Sequence, residues 1–94
     1  MSETKSQSDR KAVLKALHEA AEDSYWGDEA YFPFASIMKR TKLDRATVRR
    51  QCRVLRRQGN AEYRNGLWTE DGEVAGSGYR LTDAGRALLH EGQG

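Results

Sequence analysis

Apolar residues recur at helical spacing in four stretches of this 94-residue chain and alternate in one. In "SDRKAVLKALHEAAED" (8–23), Val13, Leu14, Leu17, Ala20 and Ala21 share one helical face, with Ser8 or Asp9 as the N-cap. "FPFASIMKRTKL" (32–43) predicts a short helix over about 34–40. Pro33 suits a helix start, and Phe34, Ile37 and Met38 form an apolar i, i+3, i+4 set. In "DRATVRRQCRVLRRQG" (44–59), Val48, Cys52 and Leu55 fall at i, i+4 and i+7 in one narrow stripe. Asp44 stands where an N-cap belongs and Gly59-Asn60 supplies a stop, so this helix is predicted over about 45–58. The last stretch, "LTDAGRALLHEG" (81–92), predicts a closing helix capped by Thr82, with Ala84, Leu88 and Leu89 turned inward.

Between the last two helices the period becomes alternating. "AEYRNGLWTEDGEVAGSGYRL" (61–81) reads as a β-hairpin with two rival turns, Asn65-Gly66 and Asp71-Gly72. If Ala61, Tyr63, Tyr79 and Leu81 all face inward, paired residue numbers must sum to an even value, which a two-residue Asp71-Gly72 turn does not give. A three-residue loop, Glu70-Asp71-Gly72 with Gly72 left-handed, sets Tyr63 opposite Tyr79, Glu62 opposite Arg80, Ala61 opposite Leu81 and Trp68 opposite Val74. The segment "SYWGDEAYFPF" (24–34) breaks both periods. Tyr25 and Trp26 are expected to cover the core from a loop, and Tyr31 and Phe32 to form a brief strand. The 34–40 helix, a tight link at Thr41 and Lys42, apolar Leu43 and the 45–58 helix make a helix-turn-helix. The expectation is one α+β domain over 1–94, with 1–8 and 92–94 as disordered tails.

Charge changes the picture at one place. The formal net charge is only +2, yet 39–57 holds nine basic residues (Lys39, Arg40, Lys42, Arg45, Arg49, Arg50, Arg53, Arg56, Arg57) against Asp44 alone, so the remainder is net acidic. At about 100° per residue, Arg49, Arg50, Arg53, Arg56 and Arg57 cluster within an arc of roughly 120° opposite the Val48–Cys52–Leu55 stripe. Arg45/Arg49, Arg49/Arg53 and Arg53/Arg57 repel at i+4, each pair costing about 0.2–0.5 kcal/mol before screening. No acidic residue within the helix offsets this, which points to an external anion, and a phosphate backbone is the usual partner of such a face. Arginine also reads guanine edges through its bidentate fork.

Other chemistry finds little footing. With 37% hydrophobic and 32% charged residues, no apolar run approaches the roughly 18 residues of a membrane helix. "MSETKSQSDR" lacks the apolar stretch of a secretory signal, and a single cysteine forms no internal disulfide, so a reducing cytoplasmic home is expected. His18 and His90 read as surface histidines, with neither a metal spacing nor a catalytic triad around them. Cys52, on the apolar stripe, reads as a small buried hydrophobe, although the surrounding arginines would favour a reactive thiolate if it were exposed. No enzyme activity, cofactor, metal or small-molecule ligand is expected.

The order of elements, together with "LDRATVRRQCRVLRRQGNAEY" and "YRLTDAGRALL", resembles the winged helix-turn-helix DNA-binding proteins of bacteria and their phages, in particular the MarR-like repressors. The resemblance covers about residues 10–90 and implies a three-helix core, a hairpin wing and a C-terminal helix. It implies that the second helix of the motif lies in the major groove of double-stranded DNA and the wing near the adjacent backbone. Arg45, Ala46, Thr47, Arg49, Arg50 and Arg53 would then face the groove, Arg64 with the wing tip would approach the flanking phosphate, Arg56 and Arg57 would reach backbone phosphates or lie outside the contact, and Lys42 is counted among the DNA-binding residues. The tip "TEDGEVAGSG" departs from this pattern, since it carries Glu70, Asp71 and Glu73 and no basic residue. A small transcriptional regulator follows, as a homodimer if each copy covers one half-site. The competing expectation is a winged-helix protein-interaction module that docks its arginine face and the aromatics at 25–32 on an acidic protein surface.

Overall fold

The computed structural model describes residues 4–25, 27, 30–68 and 74–91. In chain order these form α1 (Lys5–Asp23), α2 (Phe34–Thr41), α3 (Arg45–Arg57), β1 (Ala61–Trp68), β2 (Val74–Leu81) and α4 (Asp83–Glu91). Helices α2 and α3 pack on α1, while the β1–β2 hairpin leads from α3 back to α4, which rests on α1 and β2. The fold is the α+β winged helix-turn-helix expected from the sequence.

The first helix begins earlier than its apolar pattern suggested. Thr4 caps it, accepting from the Gln7 N–H while the Gln7 side chain accepts from the Thr4 N–H, a reciprocal pair that satisfies two otherwise free donors. Ser8 and Asp9, expected as caps, lie inside the helix, and Asp9 is buried beside the Lys5 ammonium at 3.3 Å. Val13, Leu14, Leu17, Ala20 and Ala21 are buried as expected, and Ala16 joins them.

A common core forms from Val13, Leu14, Ala16 and Leu17 of α1, Ile37 of α2, Val48, Cys52 and Leu55 of α3, Ala61, Tyr79 and Leu81 of the hairpin and Leu89 of α4. Full burial of each Leu, Ile or Val in such a cluster contributes about 1.5–3 kcal/mol. Tyr25 does not take part. It stands 91% exposed at the end of α1, and Trp26 lies outside the described residues.

The hairpin is antiparallel with Ala61 opposite Leu81, Glu62 opposite Arg80, Tyr63 opposite Tyr79 and Trp68 opposite Val74, the expected register. Between Arg64 and Leu67, and again before Trp68, the pairing shifts, so Asn65-Gly66 sits in an irregular stretch of β1 rather than at a turn. The Glu70-Asp71-Gly72 loop lies outside the described residues. On one side, Arg80 Nε and Nη2 both reach Glu62 Oε2 at 2.8 Å. On the other, Tyr63 contacts Tyr79 but remains 37% exposed, because it lies past the edge of the helical core. Phe32 pairs with Tyr79 through two backbone hydrogen bonds of 2.8 and 2.9 Å, adding the brief strand as a single bridge. Gly78 permits this approach, for a Cβ there would stand 2.9 Å from the Phe32 backbone.

One junction ties the end of α3 to the start of α4. Gly59 ends α3 at φ +82°, and the Gly59 and Asn60 N–H groups donate to the carbonyls of Arg56 and Leu55, closing a Schellman turn. Thr82 Oγ1 donates to Gly59 O at 2.6 Å and accepts from Gly85 N–H at 3.1 Å, capping α4 as expected. Thr82 N–H donates to Asn60 O. Helix α4 turns Leu89 inward as expected, but the residue buried with it is Gly85, whereas Ala84 is exposed and Leu88 is 43% exposed. The reason is steric. A Cβ on Gly85 would lie 2.1 Å from Asn60 O, so only the glycine face fits against that carbonyl.

Cys52 is fully buried, and burial pushes its thiol up to about 12 from an ordinary 9.0. The arginines beside it on the helix are exposed to solvent, and burial of the thiol is what sets the shift. Burial also raises the Tyr79 phenol.

Gly85→Ala should lower stability by about 1–3 kcal/mol, read as a lower denaturant midpoint, because backbone must move to admit the methyl group; an unchanged midpoint would contradict the close approach. For Cys52, a thiol protonated more tightly in the folded than in the unfolded state contributes stability present below pH 9 and lost as pH rises towards 12. Stability should therefore decline through this alkaline range, and Cys52→Ala, at a cost of about 1 kcal/mol or more at neutral pH, should make that decline shallower. Alkylation of the native thiol should be orders of magnitude slower than in denaturant.

Candidate nucleic-acid interface

The placement of α3 begins at the turn that precedes it. Lys42 N–H donates to Met38 O at 2.8 Å and Lys42 adopts a left-handed backbone (φ +64°), which ends α2 and redirects the chain. Thr41 Oγ1 donates to Ile37 O at 2.8 Å and accepts from Leu43 N–H at 3.2 Å, bracing the same turn. Asp44 Oδ1 then accepts from Thr47 N–H at 2.8 Å, the expected N-cap, and this bond holds the carboxyl below its ordinary 3.8.

Beyond the cap, rotation of the helix is decided by four fully buried side chains: Val48, Gln51, Cys52 and Leu55. Gln51 escaped the apolar pattern because it is polar, although its spacing from Val48 and Leu55 places it on the same face. Its Oε1 accepts from Arg10 Nε at 3.0 Å, and its Nε2 donates to Ser6 Oγ at 3.1 Å. A buried amide thus has both ends satisfied by α1, which favours one relative setting of the two helices.

With that face sealed, Arg45, Arg49, Arg50, Arg53, Arg56 and Arg57 are all exposed, together with Ala46, while Thr47 is half-buried at the N-terminal edge. Among the described residues, no carboxylate forms an ion pair with any of these six arginines; the ion pairs present involve Lys5, His18, Arg40, Arg80 and Arg86. Arg45 lies over the Phe34 ring, 5.5 Å from its centroid, and Arg56 over Tyr63 at 5.2 Å. Lys42 is exposed at the turn leading into α3. Arg64, next to Tyr63 in β1, belongs to the other side of the strand and lies over Tyr31 at 5.9 Å, a ring that Arg80 also approaches at 5.0 Å. The sequence-predicted residues of α3 therefore share one positively charged surface, with Lys42 at its entrance and Arg64 on the far side of the hairpin.

Sequence reasoning also missed that His18 and His90 meet. Their rings stand 6.0 Å apart, edge to face, and His18 Nε2 lies 2.6 Å from Glu22 Oε1. They join α1 to α4, away from the basic face. Among the described residues no group of three or more His, Cys, Asp or Glu is arranged to hold a metal, and no helix is long and apolar enough to cross a membrane.

No protein-family model matches the chain, and no curated protein matches it significantly. Solved structures do share its fold. BpsR of Bordetella bronchiseptica, whose DNA binding is regulated by 6-hydroxynicotinic acid, aligns with a TM-score of 0.65 at 23% identity, over 88% of this chain and 53% of that one. A point mutant of S. aureus MepR aligns with a TM-score of 0.66 at 18% identity, over 88% of this chain and 53% of that one. A candidate DNA-binding protein of Ralstonia eutropha aligns with a TM-score of 0.66 at 24% identity, over 89% of this chain and 93% of that one. The chain thus spans about half the length of BpsR and MepR and nearly all of the Ralstonia protein. At these identities the likeness is one of fold alone, the winged helix-turn-helix.

Proposed function

We propose that this protein binds double-stranded DNA with sequence preference and acts as a small transcriptional regulator, with α3 as its recognition helix. The observation that carries the reading is the face of α3: six exposed arginines without a carboxylate partner among the described residues, on the helix that this fold presents to a major groove. Structural likeness to BpsR, a protein with regulated DNA binding, supports it. Non-enzymatic action fits the same neighbours.

In this reading Arg45, Ala46, Thr47, Arg49, Arg50 and Arg53 occupy the half of α3 that enters the groove. Arg49, Arg50 and Arg53 have forks free to meet guanine O6 and N7, and the small Ala46 and Thr47 let the helix approach base edges. Arg57, nearer the C-terminal end, reaches a backbone phosphate, and Lys42 and Arg64 lie toward the flanking strands. One copy presents one reading helix and so covers a half-site, for which a symmetric dimer on a palindromic target is the matching assembly.

Selection of a preferred duplex from a random pool, followed by titration at two salt concentrations, tests this. Arg49→Ala or Arg50→Ala should weaken binding to the selected duplex by about 1–3 kcal/mol and relax discrimination at one base pair. Arg57→Ala should weaken binding to all duplexes alike and lower the slope of log K against log salt by about one unit. Equal, weak binding to every duplex, unaffected by Arg49→Ala beyond the loss of one charge, would overturn sequence-specific regulation. Binding to an acidic protein surface with none to DNA would favour an interaction module instead.

A further inference from the structure

Arg45, the first residue of α3, and Arg56, the last but one, are tied through neighbouring rings to the same buried ring. Phe34, under Arg45, stacks on Tyr79 with centroids 5.7 Å apart, and Tyr63, under Arg56, lies against Tyr79 across the hairpin at 5.1 Å. Tyr79 itself is 4% exposed and is fixed by its two backbone hydrogen bonds to Phe32. The result is a continuous ladder, Arg45–Phe34–Tyr79–Tyr63–Arg56, drawn from α2, α3 and both strands of the hairpin. Helical geometry agrees with it. Eleven residues separate Arg45 from Arg56, which at 100° per residue returns them to within about 20° of one another on one edge of the arginine face, about 16 Å apart along the axis.

We infer that Phe34 and Tyr63 are positioning residues that hold Arg45 and Arg56 as a pair of phosphate contacts, one at each end of the recognition helix. Resting on the DNA-binding reading above, this refines it: Arg45, at the start of the half of α3 that enters the groove, meets the backbone at the groove's edge, Arg56 meets it near the other end, and Arg49, Arg50 and Arg53 between them meet the bases. A guanidinium over a ring is restrained without using any of its N–H donors, whereas Arg80, held by Glu62, has Nε and Nη2 engaged. Ordering a long side chain before the ligand arrives removes part of the entropy otherwise lost on binding. Lying on one edge of the arginine face toward the two ends of α3, the pair is placed to meet phosphates that flank the bases read between them. Because the rings belong to α2 and the hairpin, the ladder sets the arginine pair by tertiary packing and not by the helix alone.

The test is a double-mutant cycle read by titration of a mixed-sequence duplex at low salt, where phosphate contact dominates. Tyr63→Leu should weaken binding about three- to tenfold, and Tyr63→Phe, which keeps the ring, should bind as the wild type does. In an Arg56→Ala background the same Tyr63→Leu change should have no further effect, since its target is gone. A parallel cycle with Phe34→Leu and Arg45→Ala should behave alike, with thermal melting to verify that each variant is folded at the titration temperature. Equal losses from Tyr63→Leu in both backgrounds, or no loss in either, would overturn the positioning role while leaving DNA binding standing. A wild type that binds no duplex would overturn both.

Discussion

Everything at the candidate interface depends on the sealing of one face of α3 against α1. Val48, Cys52 and Leu55 supply the apolar contact, and Gln51, buried among them, bonds at both ends of its amide to Arg10 and Ser6. An apolar stripe by itself tolerates some rotation of a helix about its axis; a buried amide with two fixed partners does not, since any slip leaves a donor or acceptor unsatisfied at about 1–3 kcal/mol. With the rotation set, the arginines have nowhere to go but outward. Their mutual repulsion is a standing cost that stability alone does not explain, and an anion on that face removes it.

The rest of the chain holds this helix in place from its ends. At the N-terminus, the Thr41 hydroxyl, left-handed Lys42 and the Asp44 cap define the angle at which α3 leaves α2. Its C-terminus is clamped by the Schellman turn at Gly59, the Thr82 hydroxyl and the close passage of Gly85 over Asn60 O. The hairpin emerges from that clamp, so the wing is oriented by the same few bonds that end the helix. "LTDAG" is thereby explained in physical terms: Leu81 fills the core, Thr82 links two elements while capping a third, and Gly85 is the only residue without a Cβ to collide.

Much of this was legible in the sequence, and the failures have specific causes. Helix α3, its Asp44 cap, its Gly59 stop and the hairpin register were readable because each rests on local spacing or on the strict period of a strand. The face of α4 was legible only in part. Leu89 faces the core as expected, but Ala84 and Leu88 looked fitter than Gly85 to join it, and the choice is made by a backbone carbonyl of Asn60, distant in sequence. Gln51 was passed over because hydropathy hides a polar residue on a buried face, and the start of α1 because its capping box lies ahead of the apolar residues. Tyr25 was assigned to the core for being aromatic, yet it lies past the end of α1 and faces solvent. At the interface, the arginines were visible as a charge run, whereas the rings beneath Arg45 and Arg56 come from residues 11 and 7 positions away and needed the tertiary fold.

The central claim is that the outward face of α3 is the surface that meets the duplex. Mapping amide and arginine side-chain shifts while a selected duplex is titrated into isotope-labelled protein tests it most directly. The account predicts that the largest changes fall on 42–57, with the Arg49, Arg50 and Arg53 Nε–H signals strongly shifted and the α1–α4 seam around His18 and His90 nearly still. Changes concentrated on α1 and α4, with the α3 arginines unmoved, would contradict it.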